Sequence, residues 1–303
     1  MLLRCLLSLS AQKITSDIKL SIIVIENDSK APSKHIVDTF KRVNATKQHI
    51  DVYYETEAVR GIPYARNKAL EACRGLKPDW VMFLDDDETA ATTWITAHLN
   101  AAQIFGADVL QGHVNYLYGI EPPHWYEKPR FKKEHGQRLK RAATNNVAFS
   151  FHLIDPGGLN LKFDTHFTQG HEDTEFFERA HALGAHIVLN QNAVTYEYVT
   201  ASRLAFRRHI ERLFQLAVTN TYAQIYKHGR LYAVLKQVTN LRHYSRLFRA
   251  TIALALVPFV VPFSIRKAQK IGYYAVKRFT KVFGAFYGLT GRQVAYWRTI
   301  DGH

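Results

Sequence analysis

The stretch VMFLDDDET, Val81 to Thr89, carries four apolar residues straight into Asp85, Asp86, Asp87 and Glu88. Adjacent carboxylates repel, so such a cluster calls for a positive partner. With Trp80, the apolar run WVMFL reads as a short buried strand, which places the acids at its carboxyl end. In an extended backbone Asp85 and Asp87 point to one side and Asp86 to the other. That spacing predicts a two-oxygen claw for a hard cation, Mg²⁺ or Mn²⁺. Such an ion takes one or two carboxylates and fills its other positions with water and phosphate oxygens.

Outward from this point, strands and helices alternate. LSIIVI, Leu20 to Ile25, reads as a buried parallel strand ending at the polar turn ENDS. A helix is expected over Ser33 to Thr46, then a strand at DVYYE. PYARNKALEACRG follows as a helix, with Pro63 in its first turn and Gly75 just past its end. Beyond the acidic cluster the pattern gives a helix over Thr92 to Phe105 and a strand at ADVLQGHVNYLYG. The polar stretch from Ile120 to Thr144 reads as a mobile loop over a site. A helix starting at Asp173 and stopped by Gly184, two short strands (HIVLN and AVTYEY) and a helix over Ser202 to Lys227 complete the body. This order predicts an α/β fold with a mostly parallel open sheet, which binds ligands outside the carboxyl ends of its strands.

With 303 residues, 47% of them hydrophobic, the chain can bury a sizeable core. Cys5 and Cys73 form neither a disulfide framework nor a metal-spacing pattern, which suits a reducing, cytoplasmic setting. The opening MLLRCLLSLSAQ reads as a helix, its apolar run being broken by Arg4 and Ser8. The formal charge of +14 points to an anionic partner, and it is concentrated: residues 240–303 hold eleven Lys and Arg against the single acid Asp301. Within that tail, Ala250 to Phe263 is uncharged but shorter than the ~20 residues needed to span a bilayer. Flanked by Arg246, Arg249, Arg266, Lys267 and Lys270, it suits either the interface of an anionic membrane or a hairpin packed on the body. Basic residues interleave with apolar ones here, so no nucleic-acid partner is expected.

The acidic motif alone leaves two enzyme classes open. LDDDET also fits the Asp-x-Asp-x-Thr of haloacid-dehalogenase-like phosphatases, where one Asp is phosphorylated, although that motif belongs on a first strand. A third reading is a basic binding protein without catalysis. Six segments in order separate them: IIVIENDS, GIPYARNKALEAC, WVMFLDDDE, TNNVAF, GHEDTEFFERAHALGA and VTYEYVTASR. Together, over about Leu3 to Gly229, they resemble glycosyltransferase family 2, and most of all its bacterial exopolysaccharide enzymes of the succinoglycan type.

The resemblance implies a GT-A fold, nucleotide-diphospho-sugar transferase-like, over residues 1–228, with a helical extension over 229–303. It implies that Asp87 binds the metal on the donor diphosphate, that Asp85 shares the metal or contacts the ribose, and that Asp86 lies on the donor side. Glu26 and Asn27 take the places that hold the base; the family usually has acids at both, so Asn27 is a departure. Arg66 would face the base or diphosphate. Asp173 takes the place of the general base, and Glu172 that of a group orienting the acceptor. Gly170 reads as a close-approach residue, and His171 stands where a glycine is common. The implied reaction moves one hexose from a nucleotide sugar, a UDP-sugar, to a saccharide or polyprenyl-diphosphate-linked acceptor on the inner face of the plasma membrane, with inversion. RRHIERLFQL lacks the Gln-x-x-Arg-Trp motif of processive synthases. Trp125 is a candidate platform for an acceptor sugar or a core residue. Against the family pattern the chain opens inside the first helix, which implies an unfilled slot in the sheet.

Overall fold

The computed structural model describes residues 1–28, 30–44, 50–129, 133–292 and 294. The expected turn residue Ser29, the helix end at Thr46, residues 130–132 of the polar stretch and the tail beyond 294 lie outside the described residues. Helix α1 (Leu2–Ser10) leads into β1 (Leu20–Glu26), α2 (Lys34–Val43), β2 (Ile50–Thr56), α3 (Ile62–Leu76), β3 (Trp80–Leu84) and β4 (Glu88–Ala90). Then come α4 (Trp94–Phe105), β5 (Val109–Tyr118), β6 (Arg138–Leu139), β7 (Asn146–Ser150), α5 (Glu172–Ala182) and β8 (Ile187–Val199). Four helices follow: α6 (Phe206–His228), α7 (Arg230–Val238), α8 (Leu241–Val260) and α9 (Ile265–Gly288).

Two local expectations are corrected. Gly75 lies inside α3 rather than beyond it, and the left-handed position that ends the helix is taken by Lys77 (φ 51°), whose N–H reaches Cys73 O at 2.9 Å. HIVLN and AVTYEY form the single strand β8. The polar residues between them do not break it, because Asn190 Oδ1 accepts from the N–H of Asn192 (3.1 Å) while its Nδ2 donates to Ala97 O (2.9 Å).

The α/β class holds, but the sheet is not mostly parallel. β1 and β2 pair in parallel, from Leu20 opposite Ile50 to Glu26 opposite Thr56. The larger sheet has the order β3-β7-β5-β8-β4, with β6 beside β8, and its β3–β7, β5–β7, β4–β8 and β6–β8 pairs are antiparallel. The reason lies in the connections: β7 returns from the long polar stretch instead of a crossover helix, and only parallel neighbours need such a crossover. Among the described residues no ladder joins β1 to β3, although Ile23 and Phe83 pack against the same apolar cluster. That cluster is rich in rings. Phe163 and Phe176 stack at 4.4 Å, Phe83 meets Phe149 at 5.9 Å, and together they set α5 against the strand that carries the aspartates.

The chain divides into two compact units. The first holds the strands with α1 to α5. The second holds the segment starting at Tyr118, residues 169–171 and everything from Val199 onward. Helix α6 goes with the second unit because α9 is its partner. A Cβ on Gly284 would stand 2.7 Å from Phe214 O, and one on Gly288 would stand 2.7 Å from Thr221 Cβ. Only glycine lets these two helices approach so closely.

Candidate active site

Leaving β3, the backbone does not stay extended. Asp85 to Asp87 form a turn, closed by the Glu88 N–H on Asp85 O at 3.1 Å, so the alternation expected of an extended strand end does not apply. The turn instead separates the acids into two sets. Asp85 and Asp86 reach solvent, whereas Glu88 starts β4 opposite Glu197 with only 1% of its surface exposed. Burial pushes the Glu88 carboxyl up to about 8, with Asn145 Nδ2 donating to Oε1 at 3.2 Å. Water touches Asp85, yet protein flanks it on most sides. This desolvation raises its carboxyl to about 6, Arg66 opposing the rise and Asp87 and Asp86 adding to it. Asp86 is raised as well, by desolvation first and then by Asp87.

Arg66, in the second turn of α3, donates from Nη1 to Oε1 of Glu172, the first residue of α5. Its guanidinium also lies over the Phe163 ring, 5.7 Å from the centroid. Glu172 is buried, and desolvation raises its carboxyl despite Arg66; Asp173 pushes the same way. Its Oε2 has no hydrogen-bond partner among the described residues. Asp173 is half-exposed, and its Oδ1 accepts from the N–H of Thr174 at 2.6 Å. One guanidinium therefore links the aspartate turn to the start of α5. Just ahead of α5, Gly170 (φ +105°) has open space where a Cβ would go, so backbone conformation and not close approach selects it. His171 holds φ +83°, a region that favours glycine.

On the base side the two expected residues part company. Glu26 Oε2 accepts from the N–H of Ser33 at 3.1 Å and is within electrostatic reach of Asp86. Asn27 braces the loop ahead of α3: Nδ2 donates to Glu57 O (2.9 Å) and Val59 O (2.8 Å), and Oδ1 accepts from Gly61 N (2.8 Å). Both ends of its carboxamide are thus engaged with the backbone of the loop ahead of α3.

Sequence reasoning gave no role to Asn146, the fully buried hub of the sheet. Its Oδ1 accepts from Trp94 Nε1 (2.8 Å) and lies 3.2 Å from His98 Nε2. Its Nδ2 donates to His113 O (3.1 Å), Ala193 O (3.0 Å) and Thr195 Oγ1 (3.2 Å). The available signal was a pair of asparagines opening the apolar run NNVAF, together with a glycine within β5. A Cβ on Gly112 would meet Asn146 Oδ1 at 2.1 Å.

No three His, Cys, Asp or Glu side chains converge on a metal position among the described residues. A divalent ion fits this turn only with one or two carboxylates, its remaining ligands coming from a bound phosphate. Desolvation first, and then Asp87 and Asp86, raise Asp85, and a bound cation would offset both.

The site is thus a strand-end acidic turn tied through arginine to an acidic helix start, on an α/β scaffold. Residues 1–159 match the profile of Glycosyl transferase family 2, more than half of the chain; the chain belongs to that family and is a glycosyltransferase of GT-A fold. The succinoglycan biosynthesis protein ExoM of Rhizobium meliloti (strain 1021) is 28% identical over 231 residues, 75% of this chain and 69% of that protein. Among solved structures, S. aureus TarS 1–349 in complex with UDP gives a TM-score of 0.49 at 13% identity, covering 92% of this chain and 86% of that one. The same protein in complex with UDP-GlcNAc gives 0.48 at 14% identity, covering 91% and 85%. At that distance neither carries an argument about this chain.

Proposed function

We propose that this glycosyltransferase moves a single hexose from a UDP-sugar to a saccharide acceptor carried on polyprenyl diphosphate, inverting the anomeric carbon, in bacterial exopolysaccharide or cell-envelope glycan synthesis. The observation that carries the reading is the double engagement of Arg66, paired with Glu172 and acting electrostatically on Asp85. It joins the donor end of β3 to the acid–base end of α5. The relative's role in succinoglycan biosynthesis supports the setting.

Asp87 and Asp85 would hold Mg²⁺ or Mn²⁺ together with the donor diphosphate, and the bound ion supplies positive charge against the departing nucleoside diphosphate. Asp86 and Glu26 line the donor side of the same turn. Arg66 brings a fixed cation to the diphosphate while its own position is held by Glu172. Asp173, at the helix start and open to solvent, removes the proton from the acceptor hydroxyl as its oxygen attacks the face of the sugar opposite the leaving group. An α-linked donor then gives a β-linked product. Glu172 orients the acceptor-side loop through its buried pair. No described helix is long and apolar enough to cross a membrane. Peripheral contact with the anionic cytoplasmic leaflet would instead come from the basic, apolar helices α8 and α9.

The test is a panel of UDP-hexoses offered with polyprenyl-diphosphate oligosaccharides in the presence of Mn²⁺. One donor should give a β-linked product extended by a single sugar, with the linkage read by NMR. An α-linked product from an α-linked donor, or a polymer, would contradict the reading.

A further inference from the structure

In the second unit, α8 and α9 pack side by side and gather cations without matching acids. Lys277, Arg278 and Lys281 lie within little more than one turn of α9, and Arg246 stands on the neighbouring α8. All four are half-buried. The acid in reach is Glu127, which already accepts a hydrogen bond from Lys277. Arg246, Arg278 and Lys281 form no ion pair among the described residues, and the Arg278 Nε is buried with no hydrogen-bond partner. Aromatic rings floor the cluster: Lys277 Nζ lies 5.6 Å from the Tyr273 ring centroid, and the Arg278 guanidinium lies 5.0 Å from that of Tyr274. Desolvation and the three neighbouring cations depress the Lys281 ammonium. Glu127 and the two rings offset part of the cost, but like charges held out of water destabilise the fold. Along the rest of α8 and the turn after it, Phe248, Phe259 and Phe263 stand 68%, 72% and 89% exposed.

We propose that Arg246, Lys277, Arg278 and Lys281 form a phosphate-binding site for an amphiphile, a phosphate or diphosphate group whose lipid chain lies along the exposed apolar residues of α8. Guanidinium and ammonium groups on two packed helices match the several oxygens of a phosphate ester, and the exposed phenylalanines further along α8 and after it match its hydrocarbon. Two sources share this chemistry, the headgroup of an anionic phospholipid and the diphosphate of a lipid-linked acceptor. The inference rests on the proposed function only in naming the second of these.

The experiment is vesicle flotation of the full chain with phosphatidylcholine alone, with phosphatidylglycerol added, and with a long-chain prenyl diphosphate added at equal surface charge. Wild type should float with both anionic vesicles and not with the neutral ones. Arg278→Gln/Lys281→Gln should lose roughly tenfold or more in partition, while Lys41→Gln/Arg42→Gln, with the same charge change on α2, should lose far less. Preference for the prenyl diphosphate assigns the site to the acceptor; equal partition assigns it to phospholipid. Equal losses in both double variants, or none in either, would overturn the site. Should Arg278→Gln/Lys281→Gln fail to fold, displacement of wild type from vesicles by inorganic pyrophosphate decides the matter: sodium chloride of the same ionic strength acting equally well would overturn it. A second readout excludes a purely structural role, since Lys281→Gln should raise the melting temperature by relieving repulsion. UDP binding by the variants, followed in parallel, should be unchanged. Loss of UDP binding in Arg278→Gln/Lys281→Gln would count against the donor-site reading, whereas flotation of that variant like wild type would overturn this one.

Discussion

At the end of β3 three aspartates crowd into one turn with Arg66 in reach; on α8 and α9 four cations gather, three of them in reach of Glu127. The two regions are opposite in charge and alike in energetics, because each holds like charges in partly desolvated surroundings. They differ in what fixes them. The acidic turn is set by strand pairing on both sides and by a buried ion pair behind it, so its carboxylates are placed by backbone. The basic cluster is carried on long side chains from two helix surfaces, which can follow a ligand. Positional accuracy belongs to chemistry at a bond, and adaptable reach belongs to holding a headgroup.

The largest separation of the two regions is expected in catalysis. Asp173→Asn should lower kcat by about 10²–10⁴-fold with the fold intact, measured as single-sugar transfer, whereas Arg278→Gln/Lys281→Gln should leave transfer to a soluble acceptor near wild type. Next comes stability. Arg66→Met leaves Glu172 buried without its partner and should lower unfolding free energy by about 3–5 kcal/mol. Arg66→Met/Glu172→Met should recover most of that loss in urea melts, and a failure to recover would show that the pair is not what couples them.

A smaller effect is expected where the second unit is held together. Gly288→Leu drives a side chain into Thr221 and Val218 O on α6 and should destabilise that unit by about 1–3 kcal/mol, read as an earlier transition in thermal unfolding. The smallest is a pH effect inside the sheet. Burial pushes the His98 imidazole down to about 4 from an ordinary 6.5. The unfolded chain therefore takes up this proton first, and the stability involved is present above pH 6.5 and lost as pH falls toward 4. His98→Gln should flatten that part of the stability profile relative to wild type, and parallel profiles would exclude the assignment.

Much of the scaffold was legible because its signals are local. β3 was read to the residue, since an apolar run ending in charge has one reading; α2, α4 and the start of α6 came within a few residues from their periodicity and stop signals. The pairing of the larger sheet was not legible, because direction depends on what the chain does between β5 and β7, and that stretch has no periodic pattern. Gly75 misled because glycine is tolerated within a helix, and Lys77 took the left-handed position at the end. Arg66, Asp85 and Glu172 were each visible as members of motifs, but their junction joins positions about a hundred residues apart. Asn27 was placed at the base by the resemblance alone, and the hydrogen bonds of its carboxamide to the loop at Gly61 could not be read from sequence. The boundary at Gly229 was drawn where the sequence turns helical and basic, and the packing of Gly284 and Gly288 against α6, some sixty residues further on, was not legible there.

Calorimetric titration of UDP into the protein, with Mn²⁺ and with a chelator, tests the central claim most directly. The account predicts binding to wild type that needs the metal and weakens at least about tenfold in Asp87→Ala. Equal affinity in all three conditions would contradict it.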